Sequence, residues 1–240
     1  MKTRKQINKQ KGFTLVEMLV VIAIVGILAA ILVPVVGRAM TKAKVATAKK
    51  EMADIILAIQ AYRKEYSRWP TPDITLDPNE DYTFGSSASN IGVDNNYLMS
   101  ILCNRKFPSS GASVVNYERK NPKKIEFLEL MTNGEKDGGV PGLSEDGYYC
   151  DPFGNPYIIT IDYNGDNKCE DKVYSKNGVS GGGASGLEDK GRFTKSGSPQ
   201  NIFTLVGDVM VWSIGPDRKF DVNGKANEGV NADNILSWSK

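Results

Sequence analysis

Residues 11–36 read KGFTLVEMLVVIAIVGILAAILVPVV, and this stretch decides the architecture. It holds one acid, Glu17, and residues 18–36 are 19 positions without a charge. At about 1.5 Å per residue, a helix of that length nearly reaches across the ~30 Å hydrocarbon core of a bilayer. Apolar side chains would lie on all of its faces, unlike the amphipathic helix of a water-soluble domain. The preceding residues 1–12, MKTRKQINKQKG, carry Lys2, Arg4, Lys5, Lys9 and Lys11 and no acid. A basic flank favours the cytoplasmic side, so one membrane crossing is predicted, with the rest of the chain outside the cytoplasm. A secretory signal has a shorter apolar run, ~7–15 residues, followed by a small-residue cleavage site. A plain signal anchor matches the length and charge but leaves Glu17 unexplained, since a carboxylate within lipid is costly.

Beyond Val36 the pattern changes without a break. Val45, Met52, Ile55, Ile56, Ile59, Tyr62 and Tyr66 recur at three- and four-residue steps, which is a helical stripe. Lys42, Lys44, Lys49, Lys50, Arg63 and Lys64 mostly take the other faces. One helix is therefore expected from about Phe13 to Tyr66, with Trp69-Pro70 as its stop. Gly26 and Pro34 lie within its apolar half, either as points where the helix loosens or as tolerated membrane residues. The expected organisation is a leader at 1–12, a membrane or filament-core half-helix at 13–36, an amphipathic half at 37–68, and a head at 69–240.

Within the head, residues 71–145 are punctuated by proline and glycine and look like a variable insertion. Short helices are expected at 97–102 and 124–131, with a glycine-rich loop at 134–142. Asp151-Pro152-Phe153-Gly154-Asn155-Pro156 is turn chemistry, and the β-branched run 158–161 reads as a strand. Further strands are expected at 173–175 and within 203–214, around a Gly/Ser-rich segment at 177–186. Short strands between turns predict a small antiparallel sheet packed on the long helix, an α+β fold.

Composition narrows the function. The chain has no histidine, which removes Ser-His-Asp and Cys-His chemistry and the commonest zinc ligand. No pair of acids stands out for carboxylate catalysis, so no enzyme is expected. The net charge of +2 belongs to the leader and the remainder is mildly acidic, which argues against nucleic acid as a partner. Three cysteines, Cys103, Cys150 and Cys169, lack zinc-type spacing. Either Cys150 and Cys169 pair outside the cytoplasm, or all three are thiols.

The segment Lys11-Gly12-Phe13-Thr14-Leu15-Val16-Glu17 resembles the processing motif of type IV prepilins and type II secretion pseudopilins. The resemblance implies cleavage between Gly12 and Phe13 by a prepilin peptidase, which then N-methylates Phe13. It implies that Glu17 guides assembly by meeting the Phe13 ammonium of a neighbouring subunit. Three later segments are similar to boxes of the major pseudopilin: residues 151–157 (DPFGNPY), 212–217 (WSIGPD) and 233–238 (DNILSW). That similarity implies a calcium clip made by the Ile214 carbonyl, Asp217, Asp233 and Asn234, where Asn234 replaces the family's second aspartate and removes one negative charge. In a second oxygen-rich run, residues 162–171 (DYNGDNKCED), Asp162, Asn164 and Asp166 have the spacing of an EF-hand start. The run lacks that motif's glycine and terminal glutamate and reads as a polar hairpin loop. The implied function is a structural subunit of a type II secretion pseudopilus that drives protein secretion. The alternative is a type IV pilus subunit or a membrane-tethered calcium-binding or adhesive protein. The implied partners are the prepilin peptidase, further copies in a helical filament, other pseudopilins, the inner-membrane assembly platform and membrane lipid. The implied location is the bacterial inner membrane, single-pass, with a head that is periplasmic if the cell is Gram-negative.

Overall fold

A computed structural model describes residues 13–71, 77–85, 91–107, 117–136, 139–195 and 198–238, without the side chains of 189–200. The chain divides into two compact units, Met1–Ala43 and Lys44–Lys240.

Helix α1 spans Leu15–Tyr66 and runs through Pro34. Proline has no N–H, so one hydrogen bond of the ladder is missing there. In the first unit every described residue of α1 is exposed, including Leu15 at 90% and Val33 at 71%. Among the described residues, α1 is the one helix long and apolar enough to cross a membrane.

In the second unit, Ala48, Met52, Ile55, Ala58, Ile59 and Tyr62 of α1 are buried. Met52, Ile55, Ile59 and Tyr62 belong to the stripe expected from the sequence; its other members, Val45, Ile56 and Tyr66, are half-buried against this core, and Ala48 and Ala58 join it. Ser67, with φ of 51°, leaves the helical conformation as α1 ends, and its N–H donates to the Arg63 carbonyl (2.8 Å). The stripe packs on a five-stranded sheet ordered β10-β9-β5-β1-β2. Its members are β1 (Tyr82–Gly85), β2 (Val93–Asp94), β5 (Ile158–Ile161), β9 (Val209–Ser213) and β10 (Ile235–Leu236). All neighbours are antiparallel except the β1–β2 pair. The α+β reading therefore holds, with one parallel pair added.

Strands β5 and β9 are buried at every position. Side chains alternate faces along a strand. Ile159, Ile161, Val209 and Val211 accordingly join the core beneath α1, while Ile158, Met210 and Trp212 join a second core with Tyr174, Val179 and Phe203. The head thus has three layers, because side chains from residues 169–187, 203–205, 214–226 and Trp238 cover the sheet face opposite α1.

The described residues between 71 and 145 contribute to the core and form β1, β2, α2 (Asn96–Leu102), α3 (Tyr117–Lys120) and β3 (Gly142–Leu143). Leu98, Ile101, Leu102 and Leu143 lie fully buried against the α1 stripe. Asn121 fixes this segment to α1. Its Nδ2 donates to the carbonyls of Ile101 (3.1 Å) and Ile125 (2.6 Å), and its Oδ1 accepts from the Tyr66 hydroxyl (2.6 Å). The helix expected at 124–131 does not form. Lys124 has φ of 54°, and the N–H groups of Phe127 and Leu128 donate to the Leu102 carbonyl instead. The helix expected at 97–102 is α2.

The strand expected at 173–175 is a turn. The Asp171 carboxylate accepts from the N–H groups of Val173 and Tyr174 (both 2.8 Å) and curls the chain there. Strand β4 (Tyr149–Cys150) pairs with β3, and β6 (Lys168–Cys169) pairs with β8 (Ser198–Val206). A one-turn helix, α4 (Asn177–Ser180), leads to the hairpin of β7 (Glu188–Lys195) and β8 (Ser198–Val206). The sequence reading had no counterpart for β7.

Candidate functional site

Two places collect the residues singled out from the sequence. The first is the start of α1. Gly12 lies outside the described residues, and Phe13 is 73% exposed. Thr14 and Glu17 form a reciprocal cap. Glu17 N donates to Thr14 Oγ1 (3.3 Å), while the backbone N and Oγ1 of Thr14 both donate to Glu17 Oε2 (2.8 Å each). A Thr-x-x-Glu pair satisfies N–H groups that a helix start otherwise leaves unpaired. Glu17 is therefore a capping residue within its own chain. The Thr-x-x-Glu spacing ahead of an apolar run was a usable signal for Thr14 that the sequence reading passed over.

The second place is where the three late boxes meet. Asp151 is fully buried, and its carboxylate gathers four donor groups. These are the N–H of Phe153 and of Asn155 (2.8 Å each), the Asn155 amide (3.1 Å) and the Ser213 hydroxyl. Asn155 Nδ2 also donates to the Gly215 carbonyl (2.8 Å), which ties the 151–156 turn to the end of β9. Gly215 has φ of 85°, and a β-carbon there would collide with the Asp233 carbonyl. The third box pairs back onto β9, with Ile235 opposite Ser213 and Leu236 opposite Trp212. The boxes are thus one assembly, with Asp151, Asn155 and Ser213 as its joints. Arg218 extends it, since its guanidinium donates to the carbonyls of Phe153 and of Gly139 in the glycine-rich loop.

Among the expected calcium ligands, Ile214 is buried beside this joint. The Asp217 N–H donates to Asp233 Oδ2 (3.1 Å), which brings those two acids together. Burial, and then the nearby Asp217 charge, raise the Asp233 carboxyl above its ordinary range. Asp233 Oδ1 and Asn234 Oδ1 are buried and have no hydrogen-bond partner. Two orphaned oxygens on adjacent residues, beside a second carboxylate, form an oxygen-only donor set of the kind a hard cation such as calcium takes. The residues present therefore fit the ion.

The 162–171 run is a polar loop but not the hairpin expected, because it leads from β5 into β6, which belongs to a different sheet and pairs with β8. Asp162 accepts from the N–H groups of Gly165, Asp166 and Asn167; the Asp166 N–H is shared with Asn164 Oδ1, and Asp166 accepts from the Lys168 N–H. Asp81, just before β1, holds the loop by accepting from Tyr163 N (3.1 Å) and Glu170 N (2.6 Å). Burial, with the charges of Asp162 and Asp166 nearby, raises the Asp81 carboxyl to about 6.

The three cysteines are free and buried, so the Cys150–Cys169 pairing is not formed. Cys169 Sγ lies against the Gly207 carbonyl (3.3 Å). Burial raises the thiols of Cys103 to about 12 and Cys150 to about 11.

A long, apolar, capped helix start and a helix-backed sheet head define a pilin-like subunit. Residues 7–33 match the prokaryotic N-terminal methylation motif. The chain is 40% identical over 142 residues to the type II secretion system core protein G of Klebsiella michiganensis, covering 58% of this chain and 92% of that protein. It is 41% identical over 72 residues to the core protein G of Pseudomonas aeruginosa, covering 30% of this chain and 51% of that protein. A third relative is the type IV major alpha-pilin of Moraxella bovis, 30% identical over 129 residues, covering 54% of this chain and 80% of that protein. The chain spans about half the length of the Pseudomonas aeruginosa relative and of an Aeromonas hydrophila core protein G (51% and 50%). No solved structure matches it. The chain belongs to the pilin-like family that includes type II secretion core protein G, the major pseudopilin.

Proposed function

We propose that this chain is a structural subunit of a type II secretion pseudopilus and not an enzyme. It is made as a precursor, cut between Gly12 and Phe13, and methylated on the new amine by the prepilin peptidase. It is held in the inner membrane by a single crossing, with the head outside. Copies then assemble through α1 into a helical filament, on the assembly platform and with other pseudopilins, and the filament drives secretion. The observation that carries this reading is the exposed apolar half of α1, opened by a carboxylate. Exposed to water, that surface would be strongly unfavourable, at roughly 25 cal/mol per Å² of apolar area. Lipid first, and then the same helix of other copies, would cover it. Both Thr14 bonds end on Glu17 Oε2. Oε1 accepts no hydrogen bond among the described residues, which suits a neighbour's Phe13 ammonium. Such a pair sets register between subunits more than it adds stability.

In this reading calcium closes the 214–236 loop through Asp217, Asp233, Asn234 and the Ile214 carbonyl. It supplies a cross-link between segments that are short of regular secondary structure. Calcium is expected to raise the melting temperature of the purified chain, and Asp233→Ala to abolish that rise.

The mass and N-terminus of membrane-extracted protein test the whole. N-methyl-Phe13 at the start supports the proposal. An intact Met1 in cells with an active prepilin peptidase overturns it. The second reading, a type IV pilus subunit, draws on the alpha-pilin relative. Loss of surface fibres with normal secretion in a deletion strain would favour it.

A further inference from the structure

Asn234 differs in kind from the other side-chain ligands proposed for calcium. Either oxygen of Asp217 or Asp233 can coordinate. An amide can do so only through Oδ1, because Nδ2 carries two donor hydrogens and repels a cation. The two ends of the amide have nearly the same shape, so something must decide which end faces the ion. Asn234 Nδ2 donates to the Tyr174 hydroxyl (2.9 Å), and Oδ1 is left buried and unpaired. Tyr174 is itself immobilised. It is fully buried, its backbone N–H donates to Asp171, and its ring meets Trp212 (4.9 Å, 81°) and Trp238 (5.3 Å, 84°) edge to face.

We infer that Tyr174 is a positioning residue for the cation: its hydroxyl holds the Asn234 amide by Nδ2, so that Oδ1 is the end presented for coordination. This rests on the calcium reading above. A carboxylate needs no orientation, whereas an amide needs a fixed acceptor behind it, and Tyr174 supplies one from 60 residues away.

A double-mutant cycle tests this. The full chain, purified in detergent and stripped with EGTA, is titrated with CaCl2 by calorimetry as wild type, Tyr174→Phe, Asn234→Asp and the double variant. Tyr174→Phe keeps both ring contacts, and the melting temperature without calcium checks that the head is intact. The hydroxyl's removal is expected to weaken calcium binding about three- to tenfold in the wild-type background, the worth of one hydrogen bond. In the Asn234→Asp background it is expected to change affinity by less than about twofold, since coupling requires the amide. Equal weakening in both backgrounds, or none in the wild type, overturns the inference and leaves the calcium reading standing. Absence of calcium binding by the wild-type chain overturns the calcium reading, and the inference falls with it.

Discussion

Replacing Asp151 by alanine should destabilise the head more than any other single polar substitution in the assembly of the three boxes. The carboxylate is fully buried and satisfies the N–H of Phe153, the N–H and amide of Asn155, and the Ser213 hydroxyl. Each buried donor left without an acceptor costs about 1–3 kcal/mol. Entry of water into the vacated volume recovers part of that, so a loss of about 3–5 kcal/mol is expected. This is a large share of the ~5–15 kcal/mol that holds a domain folded. Asn155→Ala removes its amide bonds to Asp151 and to the Gly215 carbonyl but leaves the other donors served, so about 1–2 kcal/mol is expected. The assay is urea unfolding followed by tryptophan fluorescence in detergent. All three tryptophans, Trp69, Trp212 and Trp238, belong to the head unit, so the signal reports that unit. The midpoint should fall in the order wild type, Asn155→Ala, Asp151→Ala, with the slope unchanged. A loss below about 1 kcal/mol for Asp151→Ala would refute its role as the joint between the 151–156 turn and β9.

Asp81 gives the head a pH dependence. Its folded value is raised to about 6 from 3.8, so between those values the folded head binds the proton more tightly than the unfolded chain. Stability should therefore rise by about 1 kcal/mol as pH falls from 7 to 4, after discounting for partial exposure, and Asp81→Asn should flatten that slope. A flat wild-type profile would count against it. Glu17→Ala should leave membrane insertion intact but cut filament yield, whereas Thr14→Ala, which loses only the cap, should weaken the helix start by about 1 kcal/mol. Normal filaments from Glu17→Ala would contradict the pairing proposed with Phe13. The three thiols should react with Ellman's reagent only after denaturation, since all are buried and Cys103 and Cys150 are raised to about 12 and 11. Labelling in the native state would contradict this.

The features legible in the sequence were those with a local period or local turn chemistry. The α1 stripe reads directly from Val45 to Tyr66, and the Asp-Pro-x-Gly-Asn-Pro turn is written in consecutive residues. Helix α2 was also legible, within a residue of its start. Side chains acting on distant backbone were not. Lys124 turns left-handed where the Asn121 side chain already serves Ile101, Ile125 and Tyr66. Asp171 curls residues 173–175, whose β-branched and aromatic character favoured a strand. Strand β1 is four residues long and is specified by its partner β5, which lies far along the chain. At the candidate site the ligand residues came from resemblance. The joints Asp151, Asn155 and Ser213, and Tyr174 behind Asn234, follow only from folding.

The order of the head sheet bears on when a subunit becomes competent. Strand β10 pairs with β9, and the neighbouring Ser237 exchanges two hydrogen bonds with Val211 (3.0 and 3.1 Å). Trp238 then seats on the Ser185 carbonyl (2.9 Å). These contacts close over Trp212 and involve the part of the head that leaves the ribosome after every other strand of the sheet. A chain whose synthesis stops short of residue 233 retains the whole of α1 but cannot finish its sheet. Such a truncated copy would carry the apolar helix together with an open β9 edge and an uncovered Trp212.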